Sequence, residues 1–265
     1  MKINKDDLTK IYEGKTKDVY HYLGDGILLY TKDETTGWWK TDDTGNRYFE
    51  EDPGGNEVGP AVFGMGKKNL IASEYYFKKF IQAGIPTHYI SCDIDENFML
   101  ARACQIFGQG LEAIIRFYAM GSLLRRFPDK YTEGQPMHDF FETTLKSDAD
   151  NDPPITKEEL ATQGVLTESQ YDEVKRLCRN AAEIIQADLR EEDLTLVDIK
   201  FEIGLINDKI SLIDEVSSGV MRVARGEVSS TNILKEEELA DVLVTLAKRN
   251  KIIESMLANQ DNCCF

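Results

Sequence analysis

Two lysines stand two residues apart beside a glycine in Tyr12-Glu13-Gly14-Lys15-Thr16-Lys17-Asp18-Val19-Tyr20. Read as one strand, this puts Lys15 and Lys17 on one face, about 7 Å apart. Two ammonium groups beside backbone that carries no side chain suit a polyphosphate. A solvated edge strand, where lysines also block aggregation, is the plainer reading of the same residues. The spacing of a P-loop, Gly-x-x-x-x-Gly-Lys-Ser/Thr, is absent.

A second cluster runs as an apolar stretch from Leu111 to Arg116, then to Gly121-Ser122, with Arg125 and Arg126 just beyond. Backbone N–H groups and a hydroxyl at a helix start, with arginines near, make an anion site. Surface arginines at a strand–turn–helix junction fit equally well. In Asp198-Ile199-Lys200-Phe201-Glu202 the alternation places Asp198, Lys200 and Glu202 on one face, and a hairpin returns Asp214 toward it. Carboxylates converging beside a phosphate suit Mg²⁺. A cross-strand salt-bridge ladder uses the same residues. The stretches 146–153 and 217–222 read as loops able to hold a ligand or close over a bound acid.

Other chemistries lack their residues. There is no Gly-x-Ser-x-Gly elbow and no His-Glu-x-x-His, and none of His21, His88 or His138 lies in a His-Arg-Asp loop. The five cysteines form no Cys-x-x-Cys pair, and the tail Cys263-Cys264-Phe265 is no prenylation box. A net charge of −16 over 265 residues disfavours nucleic acid and anionic membranes as partners. The charged start, Met1 to Asp7, and the lack of any long apolar run point to a reduced, cytoplasmic protein.

The elements that must position these groups follow from periodicity. Strands are expected at 10–22 and 26–32, at 87–92, 97–102 and 111–117, and at 140–145. A hairpin is expected over 194–204 and 209–215, turning at Ile206-Asn207-Asp208. Helices are expected at 67–82, ending at Ala83-Gly84, at 167–190, opened by a Thr167/Gln170 capping box, and at 235–257. The acidic segment 35–60 and the polar gap 128–138 read as loops. Without βαβ alternation the class is α+β.

In this order the segments resemble the SAICAR synthetase family of purine biosynthesis. The resemblance rests on 12–20, Gly66-Lys67-Lys68-Asn69, Ala83-Gly84-Ile85-Pro86-Thr87-His88, Glu112–Ser122, Lys146–Pro153, Leu196–Gly204 and Asp214-Glu215-Val216-Ser217. It implies two lobes, 1–110 for ATP with 35–60 as an acidic insertion, and 111–265 for substrate and metal. The antiparallel first lobe is similar to those of kinases and ATP-grasp enzymes. ATP and Mg²⁺ are the implied cofactors. Gly14, Lys15, Lys17, Lys146 and Glu202 are then expected at ATP, and Glu202 and Asp214 at the metal. Arg116, Gly121, Ser122, Lys200, Ser217 and Arg222 are expected at the carboxylate substrate, with Lys200 and Asp214 catalytic. The implied reaction joins a phosphoribosyl-imidazole carboxylate (CAIR) to aspartate through an acyl phosphate. A homo-oligomer stays open. The chain departs from the family at Ser218-Gly219, where Pro-Asp is usual, at Phe117, usually asparagine, and at Met120, usually small. A member ligating another acid or amine, and a nucleotide-binding protein without ligase activity, are therefore the alternatives.

Overall fold

The computed structural model describes residues 8–147 and 152–261, with the backbone alone for Asp139 and 252–261. The chain opens with β1 (Lys10–Glu13), β2 (Lys17–His21) and β3 (Gly26–Thr31). It continues through β4 (Glu34–Thr41), β5 (Arg47–Glu51) and β6 (Glu57–Ala61) into helix α1 (Met65–Gln82). Next come β7 (Tyr89–Asp93), β8 (Phe98–Arg102), β9 (Gln105–Tyr118), α2 (Ser122–Arg126), β10 (Pro136–Leu145) and β11 (Pro154–Ile155). Helices α3 (Lys157–Thr162) and α4 (Glu168–Arg190) precede β12 (Leu194–Ile206), β13 (Lys209–Ile213), β14 (Met221–Arg225) and α5 (Glu236–Asp261).

Three sheets result, with orders β1-β2-β3-β8-β7, β11-β10-β9-β12-β13 with β14 also on β12, and β5-β4-β6. Helices and antiparallel sheets make the chain α+β. The long strand β12 pairs with β9, β13 and β14, so it is the spine of the second sheet. Its return to β13 uses a two-residue turn in which Asn207 and Asp208 both have positive φ, the geometry that matches strand twist. One face of the sheet is covered by α4, whose Val174, Leu177, Ala181, Ile185 and Leu189 recur at helical spacing and are buried. The capping box at Thr167 and Gln170 fixes where that helix starts.

Helix α1 buries Tyr76, Phe77 and Phe80 completely, and Phe80 meets Phe201 of β12 edge-on at 6.5 Å. The two large sheets are also tied through the segment before β7. Leu212 N–H donates to the Pro86 carbonyl at 3.0 Å and His88 N–H to the Leu212 carbonyl at 3.1 Å. Strand β9 passes position 110 without ending; a bulge over 107–110 separates the Ile106–Gly204 pair from the Leu111–Ile203 pair. No described helix is long and apolar enough to cross a membrane.

Two expectations need correction. Residues 10–22 are not one strand: the chain reverses at Gly14–Thr16, so β1 and β2 pair with each other, Glu13 opposite Asp18. Gly14 N–H closes the reversal on the Lys17 carbonyl at 2.7 Å. The acidic segment 35–60 is not a loop but the three-stranded sheet β5-β4-β6. The strand acids Glu50, Glu51 and Glu57 sit on exposed positions, while Trp39 packs edge-on against Phe49 at 5.2 Å. Gly37, Gly55 and Gly59 allow the close approach, since a Cβ on Gly37 would lie 2.1 Å from the Glu50 carbonyl oxygen. Strands β11 and β14 and helix α3 were not anticipated.

Because Phe80 joins α1 to the spine strand, Phe80→Ala is expected to lower the unfolding free energy by about 3–5 kcal/mol. Urea denaturation measures this; a loss under about 1 kcal/mol would mean the joint does not depend on that ring.

Candidate active site

The shared face of β12 and β9 carries the chemistry. Register places Asp198 opposite Arg116, Lys200 opposite Ile114 and Glu202 opposite Glu112, so these charged residues line one side. At one end Lys146 Nζ donates to Glu202 Oε1 at 2.5 Å. Lys17 reaches across from the first sheet, 3.2 Å from Asp214 Oδ2 and hydrogen-bonded to Glu215. Burial and the Asp214 carboxylate push the Glu202 carboxyl above its ordinary range. Burial acts the same way on Asp214, but Lys17 and Lys146 outweigh it and hold that carboxyl low. Two half-buried carboxylates that repel each other thus each lean on an ammonium group.

Asp214 itself has φ 66, a left-handed conformation. Its carbonyl lies 3.2 Å from His88 Nε2. Burial drives the His88 pKa down to about 4, so the neutral ring donates this hydrogen bond. Midway along the face, Lys200 Nζ donates to Glu112 Oε1 at 2.8 Å, and Glu112 also accepts from Thr144 Oγ1 at 2.8 Å. Burial opposes the Lys200 charge, yet Glu112 and Glu202 keep its pKa above the ordinary value. Lys200 is therefore a fixed ammonium group, not a base.

At the other end lies a knot of arginines. Arg116, 2% exposed, donates through Nη1 to Asp198 at 2.8 Å, through Nε to Glu142 at 3.0 Å and through Nη2 to Ser122 Oγ at 2.9 Å. Arg222 Nη1 donates to both Asp198 oxygens at 3.0 and 2.8 Å. Its guanidinium lies flat on Gly121, where a Cβ would come within 2.7 Å of Cζ; with φ 63 the position suits glycine on both counts. Arg126 completes the knot on Glu142 at 2.5 Å.

Structure and sequence reading meet unevenly over these residues. Lys17, Lys146, Lys200, Glu202 and Asp214 converge, and Arg116, Gly121, Ser122 and Arg222 form a second group on the same face. Gly14 and Lys15 lie in the β1–β2 reversal, so Lys15 and Lys17 do not share a strand face. The Gly14 carbonyl accepts from Lys32 at 2.6 Å, and Lys15 reaches Asn56 at 3.2 Å. Ser217 is fully buried and its hydroxyl donates to Glu215. Asp148 to Asn151 of the 146–153 stretch, and Cys263-Cys264, lie outside the described residues. The sequence reading missed Glu112, Glu142, Glu215 and Asp52, the acids that pair these cations.

A family model described as SAICAR synthetase matches residues 59–253. A phosphoribosylaminoimidazole-succinocarboxamide synthase of Clostridium tetani is 40% identical over 214 residues, covering 80% of this chain and 90% of that protein. The chain belongs to the SAICAR synthetase family. Among solved structures, the synthase of Ehrlichia chaffeensis aligns with TM-score 0.70 at 25% identity, covering 91% of this chain and 95% of that one. A SAICAR synthetase in complex with ADP shares the fold, with TM-score 0.71 at 24% identity and coverage of 91% and 95%.

Where the SAICAR synthetase pattern has Pro-Asp, this chain has Ser218-Gly219 in a short 3-10 turn. Ser218 is buried and donates to Asn69 at 2.6 Å. Against Gly219 stands a carboxylate from another element: a Cβ there would lie 3.1 Å from Glu236 Oε1. Glu236, at the start of α5, accepts from Asn69 Nδ2 at 3.4 Å. Burial and the nearby Glu215 carboxylate push its pKa up to about 8.

A proton held by Glu236 in the folded protein is released by the unfolded chain above about pH 4.5. Stability contributed this way falls as pH rises from there to about 8. Glu236→Gln is therefore expected to flatten that fall and to raise the melting temperature at pH 8 by about 2–4 °C. Melting curves across this range check it; an unchanged slope would show that Glu236 is ionised in the fold.

Proposed function

We propose that the chain joins CAIR to L-aspartate at the expense of ATP, giving the succinocarboxamide, ADP and phosphate. A carboxylate is a poor electrophile, so its oxygen first takes the γ-phosphoryl group of ATP. The amine nitrogen of aspartate then attacks the acyl carbon; the C–O bond to phosphate breaks, phosphate leaves and the ammonium proton is lost. The observation carrying this reading is the order of groups along β12. Asp198 with its arginines, Lys200, and Glu202 with Asp214 succeed one another on one face. Strand rise puts successive groups about 7 Å apart.

On this reading the arginine end, Arg116, Ser122 and Arg222 over Gly121, holds the phosphate of CAIR. Its carboxylate then extends toward Lys200. Lys17 and Lys146, with Lys15 and the Gly14 reversal, face the ATP phosphates from the opposite end. Lys200 sits where acid and γ-phosphoryl meet, and its retained charge offsets the negative charge gathered there. Ser217 acts through Glu215, which it orients beside Lys17. The expected lobe 1–110 thus faces the nucleotide and the lobe 111–265 the acid, with Lys146 and Glu202 reaching the nucleotide from the second.

Glu202 and Asp214 fit Mg²⁺. Both are hard oxygen donors, and burial with repulsion from Asp214 keeps Glu202 high, a tension that a bound cation would relieve. No group of three or more His, Cys, Asp or Glu side chains arranged for a metal occurs among the described residues. Two carboxylates suffice for an ion that completes its shell with phosphate oxygens and water. When bound, the ion would draw charge from the phosphate oxygens. Lys17 and Lys146 hold the two carboxylates in place for it.

Purified protein with ATP, Mg²⁺, CAIR and aspartate is expected to yield ADP and the succinocarboxamide in equal amounts by mass spectrometry. Arg222→Ala should raise the KM for CAIR at least about tenfold with little change for ATP, the loss of about 1.4 kcal/mol or more expected for a charge-assisted pair. Absence of product from CAIR, with ATP still bound, would contradict the substrate assignment.

A further inference from the structure

Arg222 has a second carboxylate partner that does not come from the second sheet. Its Nη2 donates to Oδ1 of Asp52, which follows β5 in the three-stranded sheet. The other oxygen of Asp52 accepts from Arg125 at 3.3 Å. This carboxylate is 10% exposed and the Arg222 side chain 11%, so Asp52 covers the edge of the guanidinium that Asp198 leaves open. Asp52 is held ready by its own backbone: its N–H donates to the Thr36 carbonyl at 3.0 Å, and Gly54 N–H donates to Oδ1 at 2.8 Å.

The charge count of this end is informative. Arg116, Arg125, Arg126 and Arg222 face Asp198, Glu142 and Asp52. Asp198 and Glu142 lie on β12 and β10, in the framework of the second sheet. Asp52 lies on a sheet that contributes nothing to the apolar core clusters among the described residues. Its described ties to the rest are polar: Asp52 to the two arginines, Lys15 to Asn56, the Glu236 N–H to Glu51, and the Arg125 guanidinium 6.0 Å from the Trp38 ring. Moving Asp52 away leaves two guanidinium charges unmatched, the charge of one phosphate monoester.

We propose that Asp52 is an internal stand-in for the phosphate of the acid substrate, occupying Arg222 and Arg125 until that phosphate displaces it. The inference rests on the acid-site reading above and adds a selectivity rule to it. A monoanion replaces Asp52 only charge for charge and gains little by exchange, whereas a dianion matches both guanidinium charges at once. The contact also keeps the buried Arg222 neutralised while the site is empty.

Calorimetric titration of the full chain tests this with two ligands, CAIR and its ribosyl analogue lacking the phosphate. Asp52→Asn removes the competitor, so CAIR is expected to bind about fivefold tighter, as when a competing closed state is abolished. The analogue should bind as it does to the wild type, and the KM for ATP should not move. Asp52→Ser, which also lacks the charge, should give the same gain, and melting curves confirm that both variants fold. Unchanged or weaker CAIR binding in both variants would overturn the proposal and make Asp52 a brace that positions Arg222. Wild-type CAIR affinity in Arg222→Ala would instead overturn the acid-site reading on which it rests.

Discussion

Charges buried on one face of β12 and β9 must be neutralised where they stand, and the rest of the site is arranged around that need. Arg116 cannot leave its place, because its guanidinium is almost fully buried and bonded to Asp198, Glu142 and Ser122 at once. Removing one partner of such a pair costs about 3–5 kcal/mol, since the other charge stays buried. Every cation on the face therefore carries an acid with it: Lys200 has Glu112, Lys146 has Glu202, and Lys17 has Asp214 and Glu215. A site paired in this way is stiff before any ligand arrives, and stiffness is what lets electrostatics favour a transition state without reorganisation.

The same pairing explains why an acidic chain can handle anionic substrates. A net charge of −16 repels phosphate at a distance. Locally, cations from the first sheet, the second sheet and the α2 region are drawn together by acids of β9, β10 and β12, of the segment after β13, and by Asp52. On the proposed reading the spacing along β12 turns the strand into a ruler, with the anion clamp around Asp198, an ammonium group at Lys200, and the metal carboxylates at Glu202 and Asp214.

What could be read in the sequence was whatever depends on neighbours close in the chain. The alternation of Asp198, Lys200 and Glu202, the capping box at Thr167, and the Asn207-Asp208 turn are all local, and each was legible. Asp52 was not, because its partner Arg222 lies 170 residues away and nothing near Asp52 announces it. Glu142 and Glu112 are ordinary strand acids until β9 brings them against arginine and lysine. The sheet over 34–61 was hidden for another reason: its acids gave it the composition of a loop, while its pattern depended on one aromatic pair and three glycines. Lys15 and Lys17 show the converse error. A true alternation was assumed across Gly14, and the chain turned there instead.

If the acid's carboxylate oxygen takes the γ-phosphoryl group, that oxygen leaves with the phosphate. Isotope transfer reads that step directly. With both carboxylate oxygens of CAIR labelled with ¹⁸O, one turnover should send one label into inorganic phosphate and leave the other in the amide. Phosphate free of label, with both heavy oxygens otherwise accounted for, would contradict an acyl phosphate formed from the acid.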